Sequence, residues 1–197
     1  IGGENNLGCS GGQGQNDWVL GAYSAGFKFI GGIVGYAFLS MPLENRPAGW
    51  TNEYIIDQGH YHDNVPVAID ERIHPFMMED ATDFIPDDPG KVLLSAGGLG
   101  RLDGFAEAES SEVCRPSCDF EDEDINAAFR RIDEALQVHD NDRVGKIDIY
   151  FPLSSFTQER IPYIESFLSR LKNEYISKEK LKWGSQRDVY EAYITLD

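Results

Sequence analysis

Lys146-Ile147-Asp148-Ile149-Tyr150-Phe151-Pro152-Leu153 alternates polar and apolar residues and then turns continuously apolar, as a strand does where it enters a buried sheet. Pro152 sets its end. Upstream, from Asp124 to His139, Ile125, Ala128, Phe129, Ile132 and Leu136 recur at helical spacing, with Arg130, Arg131, Asp133 and Glu134 on the outer face. Glu121, Asp122, Glu123 and Asp124 load the first turn, where negative charge suits the positive end of the helix dipole. Downstream, Ile161, Ile164, Phe167, Leu168, Leu171 and Tyr175 mark a second amphipathic helix. Ser155 and Gln158 have the spacing of a capping box, while Pro162 places the start of the regular helix later. Leu181-Lys182-Trp183 reads as a short strand and Gly184 as a break. Ser185 with Asp188 reads as a capping pair opening a last helix over Val189, Ala192 and Tyr193. Helix, strand, helix, strand, helix, with connections too long for hairpins, predicts parallel strands joined by helical crossovers.

The amino-terminal half repeats the theme less regularly. Asp17 to Ala25 can form a helix with Gly26 as its stop, and Phe27-Lys28-Phe29-Ile30 a strand. Val65 to Ile69 and Lys91 to Ala96 are further strand candidates. Met41 to Trp50 and Asp83 to Gly90 read as long loops, the places where a regular scaffold usually binds its ligands.

Seventeen Lys and Arg against 34 Asp and Glu give a net charge of −17, which repels nucleic acid phosphates and anionic membrane faces. Nucleic acid is thereby disfavoured as a partner. A membrane span is disfavoured because the longest apolar run, Phe27 to Met41, is short and broken by Gly31, Gly32 and Gly35. The chain opens on Ile1 and not on Met, so a leader or a larger upstream region is expected to have been removed. Cys114 and Cys118 bracket a turn in which a small disulfide ring can close, leaving Cys9 over. That pattern points to an extracytoplasmic or secreted protein, with three free thiols in the cytoplasm as the open alternative.

Ile1-Gly2-Gly3-Glu4, the helix ending in Ser24-Ala25-Gly26-Phe27-Lys28-Phe29, and Leu181-Lys182-Trp183-Gly184-Ser185-Gln186 with Val189-Tyr190 together resemble the polysaccharide deacetylase family. In that family a strand ending in Ile-Gly-Asn-His precedes a helix, a Gly-Phe strand follows, and a late strand leads into a Glu-Ile-Tyr helix start. The resemblance implies an α/β fold, an incomplete or distorted (β/α) barrel of the polysaccharide deacetylase type. It implies one domain over residues 1–197 that lacks the family's first strands. It also implies a carbohydrate-active hydrolase acting on acyl C–N or ester bonds, with a divalent metal, zinc, as cofactor. The Thr-Phe-Asp-Asp-Gly metal motif does not occur in the chain, and Glu4 and Gly8 stand where the histidine pair belongs. Glu4 can still ligate through oxygen, whereas Gly8 offers no side chain.

The barrel rule, that active groups follow the strand ends, points to Glu4 and Asn5, to Tyr36, and to Ser95 beside Gly97-Gly98. It also reaches Asn6, Ser154 and Ser155, the serines being read first as helix or turn caps. His60 and His62 flank Tyr61 and, with Glu4, are the metal-ligand candidates; a surface loop that happens to carry two histidines is the alternative. In Arg72-Ile73-His74-Pro75 an imidazole with an ordinary pKa of about 6.5 suits general acid or base catalysis. His74 is therefore a catalytic candidate with Glu4 and Asn5, and Arg72 joins Tyr36 and Ser95 as substrate-binding candidates. A histidine packed and hydrogen-bonded under a loop is the competing account of His74. Asp140-Asn141-Asp142 with Gly145 imitates the start of a calcium loop, but Val144 and Phe151 stand where oxygen ligands belong, so it reads as a helix-to-strand turn. Trp18, Trp50 and Trp183 can stack on sugar rings if exposed, although tryptophan is more often core. Three readings follow: a carbohydrate-active hydrolase, a non-catalytic carbohydrate-binding or interaction module on the same barrel, and a metal-independent hydrolase with His74 as base.

Overall fold

The computed structural model describes residues 8–10, 22, 24–33, 43–45, 48–57, 73–78, 92–96, 98–106, 120–151 and 156–196. Its strands are β1 (Gly8–Ser10), β2 (Phe29–Ile33), β3 (Phe76–Met78), β4 (Val92–Ala96), β5 (Gly100–Arg101) and β6 (Ile149–Tyr150). Its α-helices are α1 (Asn52–Asp57), α2 (Asp122–Val138), α3 (Ile161–Leu171) and α4 (Gln186–Thr195). One sheet has the order β1-β2-β4-β3 and a second pairs β5 with β6. The expected parallel pairing holds for β1 with β2, β2 with β4, and β5 with β6. β3 departs from it, running antiparallel to β4 with Phe76 opposite Leu94 and Met78 opposite Val92.

The central strands are built from residues that tolerate burial on both faces, and Phe29, Ile30 and Leu93 are all fully enclosed. Gly26, at φ +81°, ends the helical turn before β2 in the left-handed conformation that glycine adopts without strain, and the Phe27 amide donates to the Ala22 carbonyl. Most of the predicted helix around Asp17 to Ala25, and the predicted strand at Val65 to Ile69, lie outside the described residues.

The main core lies in the carboxy-terminal half. α2 buries Ile125, Ala128, Phe129, Ile132 and Ala135 at helical spacing, against Ile164, Phe167 and Leu171 of α3. Phe129 packs on Phe167 at 5.2 Å and on Tyr175 at 5.4 Å, and the Arg170 guanidinium covers its ring at 4.1 Å. Each buried aromatic of this kind contributes about 2 kcal/mol in transfer free energy. Beyond Leu171 the helix widens into a π-turn, Lys172–Ile176, which carries Tyr175 inward to donate to Asp133 at 2.7 Å. Burial, then that hydrogen bond to a carboxylate, push the Tyr175 hydroxyl far above its ordinary pKa.

Three local expectations need correction. α3 begins at Ile161, later than the Ser155–Gln158 pair as Pro162 indicated, with Pro162 in its first turn, where a missing N–H costs nothing. Its N-cap is Arg160, without a side-chain cap, so the Ser155–Gln158 capping box is not the start of the helix. Leu181-Lys182-Trp183 is irregular instead of a strand, and Trp183 is 64% exposed. Of the predicted strand Lys146–Leu153, the described residues 146–151 are regular only at Ile149–Tyr150, and Pro152 and Leu153 lie outside the described residues. By contrast, Ser185 and Asp188 form the reciprocal cap anticipated for α4. Among the described residues no helix is long and apolar enough to cross a membrane.

Candidate functional site

Parallel pairing of Gly100 with Ile149 and Arg101 with Tyr150 brings the carboxyl ends of β5 and β6 side by side. The chain beyond each strand then supplies one half of a charged cluster. After β5 it turns through Leu102–Gly104 and buries Asp103 completely. After β6 it returns through Arg160 into α3. Arg160 Nη1 donates to Asp103 Oδ2 at 2.9 Å, while Arg101 donates through Nε to Oδ1 at 2.5 Å and through Nη2 to Oδ2 at 3.1 Å. A carboxylate removed from water needs such charged donors, and here two guanidinium groups surround one anion. The arrangement fixes Arg160, whose side chain is only 18% exposed, in one position.

The amino end of α2 is docked to the same region by Asp124. Its buried carboxylate accepts from the Ala106 amide at 3.1 Å and from the Glu121 amide at 3.0 Å. Between the start of α2 and the start of α3 lies an open cleft of about 330 Å³ lined by Phe120, Glu121, Glu159, Arg160 and Tyr163. The Phe120 and Tyr163 rings stand 5.1 Å apart at 34°. Hydrogen bonds from its own backbone amide and from the Thr157 hydroxyl hold the Glu159 carboxyl below the ordinary carboxylate range, so it is ionised at neutral pH. The cleft therefore offers aromatic surface, one fixed cationic donor and two carboxylates.

A second buried polar centre holds His74. The residue is 2% exposed, and its Nε2 lies 3.1 Å from Nδ1 of His139 at the end of α2. The Asp140 amide also donates to His74 Nε2, at 3.3 Å. The Lys146 amide donates to the Ile73 carbonyl at 2.7 Å, which ties the same two segments together one step further on.

Of the residues singled out from sequence, Glu4, Asn5, Tyr36, His60, His62 and Arg72 lie outside the described residues. Ser95 lies in β4 opposite Gly31 of β2 and is 1% exposed, enclosed by the sheet and remote from solvent. His74 is packed and hydrogen-bonded, and its partner is another histidine. Trp50 is half-buried and stands 5.9 Å from Tyr54. Among the described residues no three His, Cys, Asp or Glu side chains come together as a metal site requires, and His74 with His139 supplies only two donors.

Sequence reasoning missed Arg101, Asp103, Arg160 and His139. The first two carried a signal, an Arg and an Asp two residues apart just beyond a strand. The predicted strand ends at Ala96, so the barrel rule selects Ser95 and Gly97-Gly98 and does not reach the Arg and the Asp. His139 carried none, since nothing in the sequence pairs it with a residue 65 positions away. Comparison with known proteins returns no match: no family model fits the chain, and neither a curated protein nor a solved structure is similar to it.

Proposed function

We propose that the chain is a carbohydrate-active, deacetylase-like hydrolase that acts on acyl C–N or ester bonds of a polysaccharide and takes its ligand in the cleft between α2 and α3. The observation that supports this reading is the make-up of that cleft: the Phe120 and Tyr163 rings, the fixed Arg160, and the carboxylates of Glu121 and Glu159. It lies beyond the carboxyl ends of parallel strands, where α/β proteins place their ligands. A sugar ring presents apolar C–H faces to aromatic side chains and hydroxyls to charged ones. Arg160 can polarise an acyl carbonyl while a carboxylate activates water, the two tasks that acyl hydrolysis sets. The deacetylase-like barrel belongs to the same proposal and draws support from the alternation of parallel strands and helices.

A second reading, a non-catalytic carbohydrate-binding module on this scaffold, is favoured by His74. Its Nε2 is enclosed and engaged by His139 and the Asp140 amide, which keeps it from exchanging protons with a ligand in the cleft. Incubation with acetylated and free oligosaccharides, following both binding and acetate release, separates the two. Tyr163→Ala is expected to weaken binding about tenfold, the worth of one aromatic platform. Binding without acetate release, in protein free of stoichiometric zinc, selects the module. Absence of both binding and release sinks the carbohydrate reading.

A further inference from the structure

We propose that the cleft between α2 and α3 takes a positively charged group, so that the sugar it holds is an amino sugar with a free, protonated amine. The inference rests on the reading of this cleft as a carbohydrate site and names the class of sugar.

Two chain segments bring carboxylates to one opening. Glu121 immediately precedes α2 and Glu159 lies two residues before α3, and both line the cleft of about 330 Å³. Both residues are exposed. Among the described residues neither has a basic partner, whereas Glu123, Glu134, Glu174 and Glu191 are each paired with an arginine. The Arg160 guanidinium lines the same opening but commits Nη1 to the buried Asp103 carboxylate.

The aromatic wall presents one accessible ring. Phe120 is 6% exposed and backs the half-buried Tyr163, with 5.1 Å between centroids. The Tyr163 hydroxyl has no hydrogen-bond partner among the described residues, which leaves its oxygen to a ligand. An aromatic face attracts a cation through its quadrupole, and more strongly where water is partly excluded.

Hydrogen-bond chemistry selects among charged groups. An ammonium carries three donors and no acceptor. The lining offers three acceptors, the Glu121 and Glu159 carboxylates and the Tyr163 oxygen. A hydroxyl in the same place donates one hydrogen and leaves the carboxylate charge unmet. A carboxylate, sulfate or phosphate on the ligand would meet that charge with the same sign. Hydrogen bonds from its own amide and from Thr157 hold the Glu159 carboxyl below the ordinary carboxylate range, so its charge is present at about pH 6, where an amine is protonated. The net charge of −17 draws cations towards the surface as a whole.

Titration calorimetry at about pH 6 with tetramers of glucosamine and of glucose, in the same linkage, tests the inference, because the two differ at each ring by an ammonium in place of a hydroxyl. The glucosamine tetramer is expected to bind about tenfold more tightly at low salt, and this advantage is expected to shrink as salt is raised. Glu159→Gln and Glu121→Gln are each expected to reduce the advantage several-fold. Glu179→Gln, which removes the same charge from an exposed position beyond the far end of α3, is expected to leave it intact. Equal affinities for the two tetramers overturn the ammonium inference while the carbohydrate reading stands. A reduction in Glu179→Gln as large as in Glu159→Gln also overturns it, since net charge alone then accounts for the preference. Tetralysine binding as tightly as the glucosamine tetramer overturns the sugar as occupant. Failure of both sugar tetramers to bind removes the carbohydrate reading and this inference with it.

Discussion

Asp103 and His74 are buried to nearly the same extent, 0% and 2% exposed, yet they meet the cost of burial in opposite ways. Asp103 keeps its charge because two arms of chain, the turn after β5 and the residue before α3, place guanidinium groups on both its oxygens. His74 is engaged by the His139 imidazole and by the Asp140 backbone amide. The difference is one of topology. The carboxyl ends of paired parallel strands release two chain segments at one place, so opposite charges from distant positions can converge there. The region before β6 gathers a helix end and a loop, which supply mainly main-chain groups.

The sharpest way to break this contrast is to remove the charge from the first centre. Asp103→Ala leaves the Arg101 and Arg160 guanidinium groups facing each other without their anion, and removing one member of a buried ionic cluster costs about 3–5 kcal/mol. Denaturant unfolding measures the loss. A change below about 1 kcal/mol is what an exposed ion pair gives, and it would mean that Asp103 does not hold the two arms together.

A smaller effect is expected where the two centres are joined. Gly98 lies against the backbone of Asp148, and a Cβ there would come within 2.8 Å of the Asp148 carbonyl carbon. The same approach lets the Leu99 amide reach the Asp148 carbonyl at 2.7 Å and sets the β5–β6 register. Since the obstacle is backbone, it cannot swing aside. Gly98→Ala should cost about 1–3 kcal/mol in thermal or chemical unfolding, and a neutral result would mean that the β5–β6 pairing is looser than its geometry.

How far these features were legible in the sequence follows from the range of the interactions behind them. The α2 helix, the α4 cap and the helix-to-strand turn at Asp140–Gly145 were readable because periodicity and capping are local, spanning three or four residues. The antiparallel β3 was not, because its three residues, Phe76, Met77 and Met78, carry too short a pattern to fix a direction. Leu181-Lys182-Trp183 differs for a related reason: three residues have strand-like composition, but among the described residues no strand pairs with them. In the candidate site, the aromatic and acidic residues at the start of α2 and α3 were visible as helix starts, not as the walls of one cleft. The clasp around Asp103 is 57 residues long in sequence between Asp103 and Arg160, so only the fold brings it together.

The capping pair of α4 extends the comparison to a polar group that is not buried at all. Ser185 Oγ accepts from the Asp188 amide at 3.3 Å, and Asp188 Oδ2 accepts from the Ser185 amide at 2.6 Å. The hydrogen bonds from Ser185, first its side chain and then its backbone, hold the Asp188 carboxyl below the ordinary carboxylate range. A carboxyl whose folded value is lowered stabilises the structure above its unfolded pKa of about 4 and loses that contribution as pH falls further. α4 buries no residue, so the helix depends on its cap more than on packing. Ser185→Ala should therefore fray the first turn of α4 at neutral pH, lowering exchange protection in that helix while leaving the midpoint of global unfolding almost unchanged. In the wild type the same fraying should set in only below about pH 4. Equal protection of α4 in the wild type and in Ser185→Ala at neutral pH would show that the Ser185–Asp188 cap does not hold the helix.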